Sequence, residues 1–351
     1  MNPITKLFSP RGLIIIGLSL ALTACDSAPS TAIDKNAKSP TTLSLMNVSY
    51  DVTRDFYKAY NPTFVANYER DHPGSQITIS QSHGGSTKQT LAVANGLQAD
   101  VITMNQTSDV NLLVKRGLVG TNWQQQFPNL AMPYSSTSVF MVRKGNPKKI
   151  HEWADLVNNQ AQVIFANPKT SGSGRFAFLA AYASALKEHN GDHAAAKIFM
   201  TALFKNIPVL DSGGRAATTT FIQRQIGDVL VAPENEAQLA LREFGSNDFE
   251  VIYPSYSIVI ESPVAIVSSV TKAKNTDAVA KAYLQGLWDK PAQELAASLF
   301  LRPQNPEVLA ANAAQFPNIE RFLAQDVFGS WDTIMSTYFA DGGVLDQISR
   351  P

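Results

Sequence analysis

With 351 residues, 44% of them apolar and 17% charged, the chain is long enough to bury two cores of ordinary domain size. Its 29 basic and 29 acidic side chains cancel, so there is no broad basic face for nucleic acid, and none is expected as a partner. An anion site in such a chain has to be local, made from dipoles and hydrogen bonds.

Lys6 and Arg11 precede an apolar run from Gly12 to Ala24. The run is too short to cross a bilayer and suits the core of a signal peptide, so residues 1–24 read as a leader outside the fold. It ends in Leu22-Thr23-Ala24-Cys25, which resembles the bacterial lipoprotein cleavage box, where Cys25 becomes the lipidated first residue. Cys25 is the single cysteine, which excludes disulfides. Asp26 then resembles an inner-membrane retention signal. Residues 25–40 are small, polar and aperiodic, as a flexible tether would be. No later stretch reaches about eighteen uninterrupted apolar residues, so the lipid is expected to be the sole membrane anchor.

From Leu43 the pattern alternates strand and helix. Leu43 to Val48 reads as a strand, followed by a helix from Thr53 to Tyr68 and a second strand over Ile77 to Ile79. A helix from Thr87 to Asn95, a strand at Asp100 to Thr103 and a helix capped by Asp109 complete this part. Such alternation predicts an α/β fold with a mostly parallel sheet between helices. Ser135 to Arg143 is a β-type run that we read as a crossing into a second lobe near Ser136. There the alternation resumes with Val163 to Ala166, a helix after Gly174, a helix from His193 to Phe204, and strands at Ile207 to Leu210 and Val229 to Ala232. Ser257 to Val267 reads as the return crossing, and Thr276 to Ile348 as helical and packed back on the first lobe. The expected division is therefore 41–135 plus 262–351 for lobe 1 and 136–261 for lobe 2, with a hinge of crossing strands and a ligand cleft between the lobes.

Four strand-to-helix junctions share one chemistry: Ser49-Tyr50-Asp51, His83-Gly84-Gly85-Ser86, Ser171-Gly172-Ser173-Gly174-Arg175 and Asp211-Ser212-Gly213-Gly214-Arg215. The first two fall in one lobe and the last two in the other. Ligands of α/β sheets bind at the carboxyl ends of strands, so all four can face one cleft. Each helix start presents about +0.5 charge, and four give about +2, which matches a dianion without any lysine or arginine touching it. Arg175 and Arg215 follow the glycine loops and are expected to support those backbone donors from behind.

Competing chemistries fail on detail. Lys169 lies before the glycines, so there is no phosphate-binding G-x-x-x-x-G-K-[ST] loop, and no G-x-S-x-G elbow occurs. The histidines are scattered, and His83 lacks an acid partner in sequence. We expect no metal, no cofactor and no catalytic residue.

The same residues carry a family resemblance. Asn47–Asp51 (N-V-S-Y-D), Ser82–Gln89 (S-H-G-G-S-T-K-Q), Arg143–Lys148 (R-K-G-N-P-K), Asn167–Gly172 (N-P-K-T-S-G), Asp211–Arg215 (D-S-G-G-R) and Gly227–Leu230 (G-D-V-L) resemble the periplasmic sulfate/thiosulfate-binding proteins of ABC importers. Phe328-Gly329-Ser330-Trp331 and Phe339 to Ile348 are similar too, so the likeness spans essentially Leu43 to Ile348. It implies a two-lobe periplasmic-binding-protein fold of type II and a dehydrated dianion held by backbone N–H groups, serine hydroxyls and an indole N–H. On matching positions the ligands would be the Asp51 backbone N–H, Ser86, Ser171, Gly172, Ser173 and Gly214. One position departs: where sulfate-binding relatives carry a tryptophan donor, this chain has Pro233, which offers neither a side-chain nor a backbone donor. Thiosulfate-binding relatives resemble the chain at Asn105-Gln106 and Thr218-Thr219-Thr220. The resemblance thus implies a periplasmic receptor for sulfate or thiosulfate that serves an inner-membrane permease; the box at Cys25 adds the expected lipid anchor, and a tethered receptor needs no second subunit. A receptor for another tetrahedral oxyanion such as molybdate, or an enzyme acting on sulfate or phosphate esters, are the alternative readings.

Overall fold

The computed structural model describes residues 41–245 and 247–349. The leader, Cys25, Asp26 and the tether lie outside them. The first lobe opens with β1 (Thr41–Tyr50), α1 (Arg54–Asp71), β2 (Ser75–Gly84), α2 (Ser86–Ala94), β3 (Val101–Thr103) and α3 (Thr107–Lys115). β4 (Tyr134–Arg143) leads into the second lobe. That lobe adds β5 (Val163–Ala166), α4 (Gly172–Glu188), α5 (His193–Lys205), β6 (Leu210–Asp211), α6 (Gly214–Ile222), β7 (Val229–Pro233), α7 (Glu234–Phe244) and β8 (Phe249–Ile252). β9 (Tyr256–Ile260) and β10 (Val264–Ile266) return to α8 (Asp277–Gln285) and α9 (Lys290–Ser298). β11 (Arg302–Pro303), β12 (Glu320–Phe322), α10 (Trp331–Ile334) and α11 (Val344–Ser349) end the chain.

Two sheets organise these elements. One has the order β10-β3-β1-β2, with β2 and β3 parallel to β1 and β10 antiparallel to β3. The other follows β12-β9-β4-β7-β5-β6, with β8 and β11 also paired to β4. β5 is parallel to both β6 and β7, as the alternating pattern requires.

Strand periodicity accounts for the second core. Val163 and Phe165 of β5 face one apolar cluster with Phe140, Val142, Val229 and Val231. Ile164 and Ala166 face the opposite cluster with Val139, Met141, Leu230 and Ala232. A strand covered on both faces reads as a continuous apolar run, and this is what makes β5 and β7 legible in the sequence. The first lobe has its own core, in which Leu45, Val48 and Val101 of the sheet meet Tyr57, Tyr60 and Tyr283 of the helices.

Two expectations need correction. α7 and β8 were not anticipated, and the strand expected over Ile207 to Leu210 is only the pair Leu210–Asp211. More important, the segment from Thr276 onward does not all pack on the first lobe. α8 and α9 do, through Val279, Tyr283, Leu284 and Ala296. Phe322, Trp331, Tyr338, Phe339 and Ile348 join the second-lobe core instead. The cause is α4, an Ala/Phe/Leu-rich helix buried nearly all round. Its sheet-facing side is covered by β5 and β7, and its far side needs an apolar partner. The tail supplies it: Phe176 meets Trp331 at 5.6 Å between ring centres, and Phe178 meets Phe339 at 5.3 Å. The chain therefore passes between the cores a third time, between Leu301 and Phe322.

Phe178→Ala is expected to cost about 3–5 kcal/mol by opening a cavity between α4 and the tail. Urea or guanidinium unfolding measures this, and a loss below about 1 kcal/mol would show that the tail does not hold the helix.

Candidate functional site

Each junction marked by the sequence ends a strand and starts a helix. Asp51 follows β1 and opens the turn into α1, Ser86 is the first residue of α2, and Gly214 is the first residue of α6. Ser171 caps α4, its Oγ accepting the Gly174 N–H at 3.3 Å, while Gly172 and Ser173 begin the helix. The N–H groups of a helical first turn have no partner inside the helix, so each start offers donors.

The structure brings the junctions of the two lobes into contact. A Cβ added to Gly85 would lie 2.7 Å from the Thr170 carbonyl oxygen and 2.9 Å from that of Ser212, both in the second lobe. A Cβ on Gly213 would lie 2.5 Å from Asp51 Oδ2, and one on Gly214 would lie 3.4 Å from Ser173 Oγ. Gly85 is set by close approach, since a methyl group there would meet two backbone carbonyls of the other lobe, whereas Gly213 faces the end of the Asp51 side chain and Gly214 makes only an ordinary contact. The Arg215 N–H donates to Asp51 Oδ2 at 3.3 Å across the same boundary. The Asp51 carboxylate thus takes a donor of α6 for itself.

Polar side chains tie the starts of α2, α3 and α4 together. Ser86 Oγ donates to Asp109 Oδ2 at 2.6 Å and accepts the Asn105 N–H at 3.2 Å. Its hydroxyl hydrogen is therefore committed to Asp109, and its free donor is the backbone N–H. Thr87 Oγ1 donates to Asp109 Oδ1 at 3.0 Å. Asp109 is not the cap of α3 that the sequence suggested; Gln106 holds that position, and Asp109 sits in the first turn. Arg175, buried in the second lobe, reaches Thr87 Oγ1 at 2.6 Å and the Pro168 carbonyl at 2.9 Å, with Asp109 Oδ1 at 3.6 Å. Asn105 Nδ2 donates to Ser173 Oγ at 3.3 Å.

Charge at the site is matched locally. Asp109 faces Arg175, and Arg215 faces Glu236 at 3.4 Å and Glu243 at 3.8 Å. Burial raises the Asp51 carboxyl above its ordinary range, opposed mainly by the Arg215 N–H. Burial also pushes Glu236 up to about 7, against the pull of Arg215. His83, within 3.2 Å of Ser49 Oγ, is pushed down to about 4 by burial, so it is neutral at neutral pH.

Short contacts link Ser86 through Asn105 to Ser173 and on to Gly214, and Asp51 to Gly213 and Arg215, while Ser171 and Gly172 directly precede Ser173 in the chain. Pro233 ends β7 and caps α7 without a side-chain bond. Nearby, Asn235 Nδ2 donates to the Val52 carbonyl at 3.3 Å, a further link between lobes that sequence reasoning missed. Asn105 was noticed only through the family likeness; its position after β3, at a strand end like the other four junctions, was the available signal. A groove of about 600 Å³ lined by Tyr60, Phe64, Tyr68 and Leu295 lies elsewhere, on the first lobe.

Gly85→Ala is expected to hold the lobes apart, because two backbone carbonyls cannot retreat from the added methyl. A larger radius of gyration than the wild type's by small-angle scattering, with an unfolding midpoint in denaturant that is little changed, is the expected outcome. An unchanged radius would show that Gly85 does not set the approach.

Residues 52–299 match the family model described as bacterial extracellular solute-binding protein. The thiosulfate-binding protein of Pseudomonas aeruginosa is 52% identical over 308 residues, covering 88% of this chain and 92% of that protein. The sulfate-binding protein of Salmonella typhimurium is 47% identical over 308 residues, covering 88% and 93%. Among solved structures, the sulfate-binding protein SubI from Mycobacterium tuberculosis superposes with a TM-score of 0.76 at 30% identity, over 84% of this chain and 99% of that one. A periplasmic thiamin-binding protein shares the fold, with a TM-score of 0.65 at 15% identity. The two-lobe architecture is that of type II periplasmic binding proteins, and the chain belongs to the bacterial extracellular solute-binding proteins, in the family of sulfate- and thiosulfate-binding proteins.

Proposed function

We propose that the chain is a periplasmic receptor that captures sulfate or thiosulfate in the cleft and presents it to the permease of an ABC importer. It binds its ligand without transforming it. The observation that carries this reading is the meeting of helix starts from both lobes around Ser173, where donors gather while the nearby arginines are already paired. Relatives named for thiosulfate and for sulfate binding cover the same stretch of chain.

In this reading the dianion is held by neutral groups. The backbone N–H groups of Asp51, Ser86, Gly172 and Gly214 point at it, and the hydroxyls of Ser171 and Ser173 add donors. Each of these hydroxyl oxygens accepts one bond in the protein, which leaves its hydrogen for the ligand. Arg175 and Arg215 act from behind, Arg175 by balancing Asp109 and Arg215 by balancing Glu236. Hydrogen phosphate is disfavoured because its proton requires an acceptor, and leaving that proton unpaired costs about 1–3 kcal/mol. Pro233 removes a donor that suits a fourth oxygen, which makes thiosulfate, with one softer sulfur, the better fit.

Calorimetry with sulfate, thiosulfate, hydrogen phosphate and molybdate tests the reading. The expected order is thiosulfate and sulfate bound tightly, molybdate weaker, hydrogen phosphate weakest. Ser171→Ala should weaken the first two by roughly tenfold or more, the loss of one hydrogen bond to a charged group. Tight hydrogen phosphate binding, or no binding of any of the four, would overturn it.

Lipidation of Cys25 would tether a monomeric receptor to the inner membrane, with Asp26 as the retention signal. The full chain is expected in the membrane fraction and the Cys25→Ser chain in the soluble periplasmic fraction. Equal distribution of the two would refute the anchor.

A further inference from the structure

Asn105 joins the two lobes at the point where the proposed ligand loop begins. It follows β3 in the first lobe, is 1% exposed, and its Nδ2 donates to Ser173 Oγ in the second lobe at 3.3 Å. Its Oδ1 has no hydrogen-bond partner among the described residues. The same oxygen presses on the first residue of α4: a Cβ on Gly172 would stand 1.8 Å from it. A glycine and an asparagine from opposite lobes are therefore matched to each other. Ser173 Oγ also faces the start of α6, at 3.4 Å from the Cβ position of Gly214. One hydroxyl thus sits where the first lobe, α4 and α6 meet.

A buried amide held at both ends is a structural brace, and most buried amides are satisfied in that way. This one is held at one end only. The bond from Nδ2 fills one lone pair of Ser173 Oγ and so fixes where the hydroxyl hydrogen can point.

Resting on the sulfate/thiosulfate reading above, we propose that Asn105 is a specificity-determining residue of the cleft, which aims the Ser173 hydroxyl at the anion and brings a neutral carboxamide from the first lobe onto the start of α4.

The test is calorimetry with sulfate, thiosulfate and hydrogen phosphate on wild type, Asn105→Leu, Asn105→Asp, Ser173→Ala and the Asn105→Leu/Ser173→Ala pair. Asn105→Leu keeps the volume and deletes both polar atoms; it should weaken sulfate and thiosulfate at least tenfold. In the Ser173→Ala background the same change should add less than threefold, because the serine it positions is gone. Asn105→Asp should weaken the dianions more than Asn105→Leu does, and should narrow their advantage over hydrogen phosphate, whose proton a carboxylate can accept. Asn105→Ala serves as a second truncation if the leucine disturbs folding, judged by the unfolding midpoint without anion. Binding by Asn105→Leu or Asn105→Ala within twofold of wild type, or full additivity with Ser173→Ala, overturns this inference alone. Failure of the wild type to bind any of the three anions overturns it together with the receptor reading.

Discussion

The cleft depends on how closely the turn at Gly85 approaches the second lobe. A Cβ there would run into two carbonyl oxygens, those of Thr170 and Ser212, which belong to the loops before α4 and α6. A side chain cannot be fitted at Gly85 itself, so this turn offers only backbone donors. A backbone donor is fixed by the helix that carries it and loses no rotamer freedom when it meets a ligand. The glycines at 85 and 213 leave room for this approach. They let three helix starts converge, and convergence adds together the weak dipoles of those starts.

Bringing charged residues near such a site creates a second constraint. A buried arginine left unpaired would compete for the ligand or force water into the boundary. Arg175 avoids this by lying against Asp109, whose two oxygens also take the hydroxyl hydrogens of Ser86 and Thr87. The price is that Ser86 keeps only its backbone donor for a ligand. Arg215 is handled differently, with two carboxylates beside its guanidinium and its backbone N–H on Asp51. Asp109 of the first lobe partners Arg175 of the second, and Asp51 takes the Arg215 N–H, so each arginine finds acidic partners beside it.

How much of this was legible follows from the range of the forces involved. β5, β7 and the start of α4 were readable because apolar runs and small polar loops are local patterns. The contact of Phe178 with Phe339 was not, because nothing near residue 178 in sequence says that the far side of α4 lacks cover. The tail was assigned to the wrong lobe for that reason: its aromatic residues fit any apolar surface, and the choice between two was made by tertiary packing. The junction residues were identified as a set, but their pairings were not. That Ser86 donates to Asp109, or that Asn105 reaches Ser173, depends on distances between elements that only the folded chain fixes.

Relative motion of the lobes is confined by the strands that connect them. β4 carries Tyr134 in the first core and Phe140 in the second, so a single strand is anchored at both ends by burial. β9 pairs with it at the crossing, Ser136 opposite Ile260 and Thr137 opposite Val259. The third connection is pinned by Arg302, which makes two bonds of 2.6 and 2.7 Å to the buried Glu234 at the start of α7. Two paired strands and one ion pair leave bending about the crossing as the soft mode, because sliding would break the β4–β9 register and expose Glu234 unpaired. Bending about that line separates Gly85 from Thr170 and Ser212 before it disturbs either core. Contacts at the cleft are thus the first to open and the last to close, and in the receptor reading proposed above the donors lie in the part of the molecule whose geometry changes at least cost.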